Sequence, residues 1–202
     1  MDREFLLDTN AFYNLLKAMN PETSEQNALV GSIATLKNEK LIVSSITEVE
    51  IISVLGKYAR GVQGGMSKCT CQISPEGHIC QNSRYTAPRK KWNKKRVKAW
   101  LQLVGDIFEG QSNLLTVGVE PFDLTTVAEA KNVITYALIH NFASMDAMIA
   151  ATAKLARDSS RDVTVVTSDK GLKACLSKIG VPCNDFFAAK YKQKPQTINR
   201  NW

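Results

Sequence analysis

At 202 residues and 44% hydrophobic content, the chain can form one domain with a sizeable core, or one domain plus an insertion, and is too apolar to be disordered throughout. No apolar run approaches the length of a membrane span, and the start Met1-Asp2-Arg3-Glu4 lacks the basic opening and long apolar stretch of a secretory signal. A cytosolic protein is therefore expected, its five Cys reduced or bound to metal rather than paired.

The net charge of +7 is unevenly spread. Residues 81–98 hold eight cations and no acid, and the tail after Phe187 adds Lys190, Lys192, Lys194 and Arg200. The rest of the chain carries 14 basic and 19 acidic residues, so a mildly acidic body bears two basic appendages. Such clusters suit an anionic polymer, nucleic acid first, or are simply a solvated helix face.

Phe5-Leu6-Leu7 reads as a buried strand ending at Asp8. Thr9 and Asn10 are good N-caps for a helix over 11–19. An acid at the carboxyl end of a strand is a functional candidate in an open parallel sheet, or it caps the helix. Leu29, Ile33 and Leu36 recur at helical spacing within 24–38. Leu41-Ile42-Val43 is a second buried strand, followed by a helix with Val49, Ile52 and Leu55 inward. Thr47 and Glu50 have capping-box spacing, so Glu50 could cap reciprocally, reach a site, or exchange between the two. Strand, helices, strand, helix predicts an α/β fold with a parallel sheet.

Periodicity stops at Gly61. Residues 61–88 are rich in Gly and Pro and predict an insertion with its own role. It contains Cys69, Cys71, His78 and Cys80, three thiols and one imidazole in two short pairs, a complete soft-ligand set for tetrahedral Zn²⁺ or else incidental thiols in a loop. Cys175 and Cys183 read as ordinary small buried residues.

Residues 89–109 predict one amphipathic helix with Trp100, Val104, Ile107 and Phe108 at helical spacing. Its first half carries Arg89, Lys90, Lys91, Lys94, Lys95 and Arg96 around Trp92, a set that could hold phosphates and stack on bases. Trp92 could equally be a first core contact. Leu114-Leu115-Thr116-Val117 predicts a third strand, and 124–140 a helix ending at His140. Ser144 is a natural N-cap for a helix with Asp146 in its first turn, where the dipole favours an acid. Val163-Thr164-Val165-Val166-Thr167-Ser168-Asp169 repeats the strand-then-acid arrangement of Asp8. Residues 181–183 read as a last short strand.

Asp8 and Asp169 end strands, while Glu50 and Asp146 begin helices. In a parallel sheet all four can converge at one edge, where they cannot all stay ionised without compensation. A divalent cation supplies it, and oxygen ligands suit Mg²⁺ or Mn²⁺. Such a site can activate water for in-line attack on a phosphodiester.

These pieces together resemble the PIN-domain nucleases. They are Leu7-Asp8-Thr9-Asn10, Thr47-Glu48-Val49-Glu50-Ile51, Asp146-Ala147-Met148-Ile149-Ala150-Ala151-Thr152-Ala153 and Val166-Thr167-Ser168-Asp169, in the family's order. The resemblance covers residues 4–60 and about 112–187, not the Cys/His and basic insertion. It implies an α/β/α sandwich and metal-dependent ribonuclease activity. Asp8, Asp146 and Asp169 would hold the metal directly or through water, Glu50 would complete the cluster, and Thr167 or Ser168 could orient a ligand. Asn10 and Thr47 would support the site. Many small members look like VapC-type toxins, homodimers neutralised by an antitoxin, and are shorter than this chain. The implied organisation is a catalytic domain over 1–60 and 99–190, an insertion over 61–98 and a basic tail over 191–202. The expected function is a divalent-metal endoribonuclease acting as a toxin or in RNA processing. Set against it are a catalytically silent scaffold that binds RNA or a protein partner, and an insertion that makes protein contacts and whose zinc is purely structural.

Overall fold

An unbroken apolar run is stable as a strand only where both its faces are covered. Glu4–Leu7 meets that condition: all four residues of this strand, β1, are buried. The computed structural model describes residues 3–19, 35–36, 38–61, 63–68, 83–86, 88, 90–138 and 142–188. By contact the chain divides into two units, Met1–Ile51 with Gly105–Trp202, and Ile52–Val104.

In the first unit, β1 leads into α1 (Thr9–Met19) and then β2 (Lys40–Ser44), where α2 (Ser45–Arg60) begins. After the end of α3 (Lys94–Phe108) come β5 (Gly118–Glu120), α4 (Leu124–Val133), a 3-10 turn (Ile134–Leu138), α5 (Ser144–Asp158), β6 (Val163–Val166), α6 (Lys170–Lys178) and β7 (Cys183–Asn184). The five strands form one parallel sheet in the order β5-β2-β1-β6-β7, flanked by helices as expected for the α/β class. Leu6, Ile42 and Val165 lie side by side on one face and pack with Ile149, Ala150, Ala153, Leu172 and Leu176 of α5 and α6. The small residues of α5 let that helix approach the sheet closely. The opposite face, with Phe5, Leu7, Leu41, Val43 and Val166, is equally buried.

Several elements depart from the sequence reading. The third strand is not residues 114–117 but Gly118–Glu120, because only these lie in register with Ile42, Val43 and Ser44 of β2. The helix expected over 124–140 is α-helical only to Val133 and tightens into 3-10 geometry from Ile134. The last strand is Cys183–Asn184, starting two residues later than read and ending one later. Leu29, Ile33 and His140 lie outside the described residues, as does the basic tail from Lys190.

The second unit holds an antiparallel pair that periodicity did not reveal. β3 (Gly65–Lys68) and β4 (Ser83–Thr86) run in register from Gly65 opposite Thr86 to Lys68 opposite Ser83. Gly64 precedes the pair, and a Cβ there would stand 2.6 Å from Pro88 Cδ. The region read as structureless thus carries a backbone ladder at both its ends. Cys69, Cys71, His78 and Cys80 lie outside the described residues.

The amino edge of the main sheet buries a charge. Glu4 is 5% exposed, and it accepts from Lys40 and from Arg161, whose Nε lies 2.9 Å away. Burial pushes the Glu4 carboxyl up, but the bonds from Lys40 and Arg161 outweigh it and hold it below its ordinary value. Arg161 Nη2 also donates to Glu120 at 2.7 Å, so one guanidinium ties β1 to the end of β5. Removing one partner of a buried pair strands the other charge. Arg161→Ala is therefore expected to lower unfolding free energy at neutral pH by about 1–3 kcal/mol. Glu4→Gln in that background should recover part of the loss in urea denaturation.

Candidate metal and active site

Leu7 pairs in register with Val43 on one side and Val166 on the other. The next residues of the three strands, Asp8, Ser44 and Thr167, therefore stand at one level on the carboxyl edge of the sheet. Asp8 is 2% exposed. Its Oδ1 accepts from the amide of Ala11, and its carbonyl accepts from Phe12 at 2.9 Å. Asp8 is thus the cap of α1, and Thr9, read as a cap, is that helix's first residue. The Thr167 hydroxyl donates to the Asp8 carboxylate and accepts from the amide of Asp169 at 3.0 Å.

The other two aspartates also start helices. Asp169 caps α6, accepting from Leu172 N at 2.7 Å. Asp146 is the third residue of α5 and accepts from Ala143 N at 2.9 Å. The N-cap position of α5 is Ala143, not Ser144, because the helix begins one residue earlier than the hydroxyl suggested. Each aspartate therefore commits one carboxylate oxygen to a helix start.

The three are close enough to feel one another. Burial pushes Asp8 up to about 6; bonds from Thr167 and Ala11 pull it down, and the charges of Asp146 and Asp169 push it up further. Asp146 is raised by burial first, against the bond from Ala143, with the Asp169 charge adding to it. Glu50 lies on the second turn of α2 and accepts a hydrogen bond from Thr9, the neighbour of Asp8. α2 begins at Ser45, so Thr47 is inside the helix and does not cap it. Its hydroxyl is buried and has no hydrogen-bond partner among the described residues, one turn before Glu50 on the same side.

This set fits a hard divalent cation. All the donors are oxygen, the carboxylates repel one another in a low-dielectric setting, and the buried Thr47 hydroxyl one turn from Glu50 lacks a partner among the described residues. Among the described residues no three acidic, His or Cys side chains are gathered tightly enough to cage an ion.

A cleft of about 460 Å³ opens beside Asp169, lined by Asn10, Ser168, Lys170, Lys173 and Asp185 as well. Lys173 pairs with Asp185, which also accepts from Ser168 at 2.6 Å. Lys170, Lys173 and Asp185 were not singled out from sequence; no local pattern links positions so far apart.

Of the basic set, Lys90, Lys91, Lys94, Lys95 and Arg96 are exposed, and Arg89 lies outside the described residues. α3 begins at Lys94 rather than at 89, with Asn93 Oδ1 accepting from Arg96 N at 2.8 Å. The Trp92 ring stacks on Tyr58 at 4.5 Å between centroids, and the Arg96 guanidinium stands 4.3 Å from its centre. Trp92 also meets Trp100 at 5.6 Å, so it is a packed contact of the second unit.

The model of the PIN domain family matches residues 5–175. The chain is similar in structure to FitAcB from Neisseria gonorrhoeae, with a TM-score of 0.51 and 20% identity over 90% of this chain and 97% of that one. That likeness shows the fold. No curated protein matches the chain in sequence.

The raised Asp8 has a consequence for stability. Its folded-state value of about 6 lies above its ordinary 3.8, so the folded state is penalised once pH rises through that window, fully above about 6 and not at all below 3.8. Without divalent metal, Asp8→Asn is expected to raise the melting temperature by a few degrees at pH 8. The gain should vanish near pH 3.5, as thermal denaturation at both pH values would show.

Proposed function

The chain belongs to the PIN domain family, and from that premise we propose that it is a divalent-metal-dependent endoribonuclease. PIN domains are usually metal-dependent nucleases and are often the toxins of toxin–antitoxin pairs. What supports the reading here is that Asp8 follows β1, Asp169 follows β6 and Asp146 opens α5, each holding the start of a helix, with Thr167 bonded to both Asp8 and Asp169.

In this reading Asp8, Asp146 and Asp169 hold the cation directly or through water, and Glu50 completes the acidic set. Bound Mg²⁺ or Mn²⁺ supplies charge neutralisation at the phosphodiester and a water acidic enough to act as nucleophile near neutral pH. Thr167 keeps Asp8 oriented through its hydroxyl, and Thr9 does the same for Glu50. The amides of Ala11, Ala143 and Leu172 hold the three aspartates in place before substrate arrives. Lys90, Lys91, Lys94, Lys95 and Arg96, together with Arg89, hold phosphates of the RNA strand, while Trp92 supports Arg96. The cysteines and His78 of the insertion bind structural Zn²⁺. A VapC-like toxin, working as a homodimer and silenced by an antitoxin, is the biological setting closest to this reading; RNA processing is the other.

The test is cleavage of a mixed RNA pool with Mn²⁺ or Mg²⁺. Wild type is expected to cut, and EDTA, Asp8→Asn, Asp146→Asn and Asp169→Asn each to abolish cutting. Thr167→Val, which removes an orienting bond and not a ligand, should reduce the rate by roughly 10–100-fold. Undiminished cutting by Asp8→Asn would falsify the assignment of the site.

A further inference from the structure

The cleft beside Asp169 has a composition that the acidic cluster does not require. Its lining brings two lysines, Lys170 and Lys173, together with Asn10, Ser168 and the carboxylates of Asp169 and Asp185. Lys170 is exposed and makes no ion pair with the described residues. Lys173 is held by Asp185, and Asp185 is itself held by the Ser168 hydroxyl at 2.6 Å. A lysine anchored in this way has already lost much of its rotamer freedom. Ser168 adjoins Asp169 in the chain, so this small network is built on the same turn as an acid of the cluster.

We propose that this cleft binds a phosphate of the RNA strand next to the one being cut, with Lys170 and Lys173 as positioning residues and Asp185 orienting Lys173. The inference rests on the nuclease reading for its choice of RNA as occupant. Three things favour that occupant. The cleft shares Asp169 with the acidic cluster, so a strand lying across the cluster reaches it. Its volume of about 460 Å³ falls in the range that encloses a ligand of small-molecule size, enough for one nucleotide unit. Lys170, which makes no ion pair with the described residues, and the Asn10 side chain offer the unesterified oxygens of a phosphodiester one charge-assisted and one neutral donor, while Ser168 and Asp185 hold Lys173 beside them. Cations here also lessen the repulsion that the carboxylates would otherwise exert on an incoming polyanion.

The experiment measures binding of a short fluorescent RNA in EDTA across a salt series, so that it does not depend on cutting. Lys170→Ala is expected to weaken binding roughly three- to tenfold and to flatten the slope of log affinity against log salt by about 0.7. Lys170→Arg should restore both, and Lys131→Ala, an exposed lysine on α4, should change neither. Asp185→Asn should weaken binding although it removes a negative charge, because Lys173 loses its anchor. In a parallel Mn²⁺ assay, Lys170→Ala should raise KM and leave kcat near wild type, since the lysine grips a phosphate that does not react. An unchanged affinity and salt slope in both Lys170→Ala and Lys173→Ala would overturn the proposal. Tighter binding by Asp185→Asn would overturn the role given to that residue. If wild type cuts nothing while the binding pattern holds, the cleft stands and the hydrolytic reading falls.

Discussion

The parallel register of β1 with β2 and β6 is the constraint on which the site depends. Leu7 faces Val43 and Val166, so each strand runs out at the same height. A slip of one residue would turn Leu6, Ile42 and Val165 from one packed face to the other. It would also separate Asp8 from the Thr167 hydroxyl that holds it. At the opposite edge, Arg161 and Lys40 close on Glu4 at the start of the same central strand. The strand is thus held by charge at its first residue, by packing along its length, and by helix capping just past its end.

Capping and chemistry are usually weighed as rival explanations of an acid at a helix start. In the proposed reading one carboxylate serves both. A cap needs one oxygen, and the amides of Ala11, Ala143 and Leu172 each take one from a different aspartate. The cap fixes the side chain and thereby aims the other oxygen. This preorganisation has a cost, since burying Asp8 near two like charges raises its affinity for a proton. Strain of this kind at a site is sustained by stability elsewhere in the fold. In this protein a core in which Leu6, Leu7, Phe12, Ile42, Val165 and Ala150 are almost wholly inaccessible supplies it.

The second unit shows a different use of charge. Its described cations from Lys90 to Arg96 are spread over an exposed stretch, and Arg96 is given a fixed posture over the Trp92 ring. Trp92 is stacked on Tyr58, so it contributes rigidity to a cationic surface. An exposed arginine held against an aromatic face keeps its outer edge available for hydrogen bonds.

Much of the fold was legible along the chain. Apolar runs at 5–7, 41–43 and 163–166 are long and β-branched or aliphatic enough to announce buried parallel strands, and they became β1, β2 and β6. Hydroxyl and acidic residues after them announced helix starts to within a residue or two. The edge strand β5 and the β3–β4 pair were not legible, because short strands are set by the partner they meet and not by their own composition. The same division holds at the site. Sequence alone determined that acids follow strands and open helices, since local capping chemistry demands it. Only the tertiary structure decided that Asp8 is the cap in place of Thr9, that Thr167 bridges Asp8 and Asp169, and that Lys173, Asp185 and Ser168 form one network. Those relations join residues whose proximity comes from sheet register and helix packing, and no pattern within a single segment encodes them.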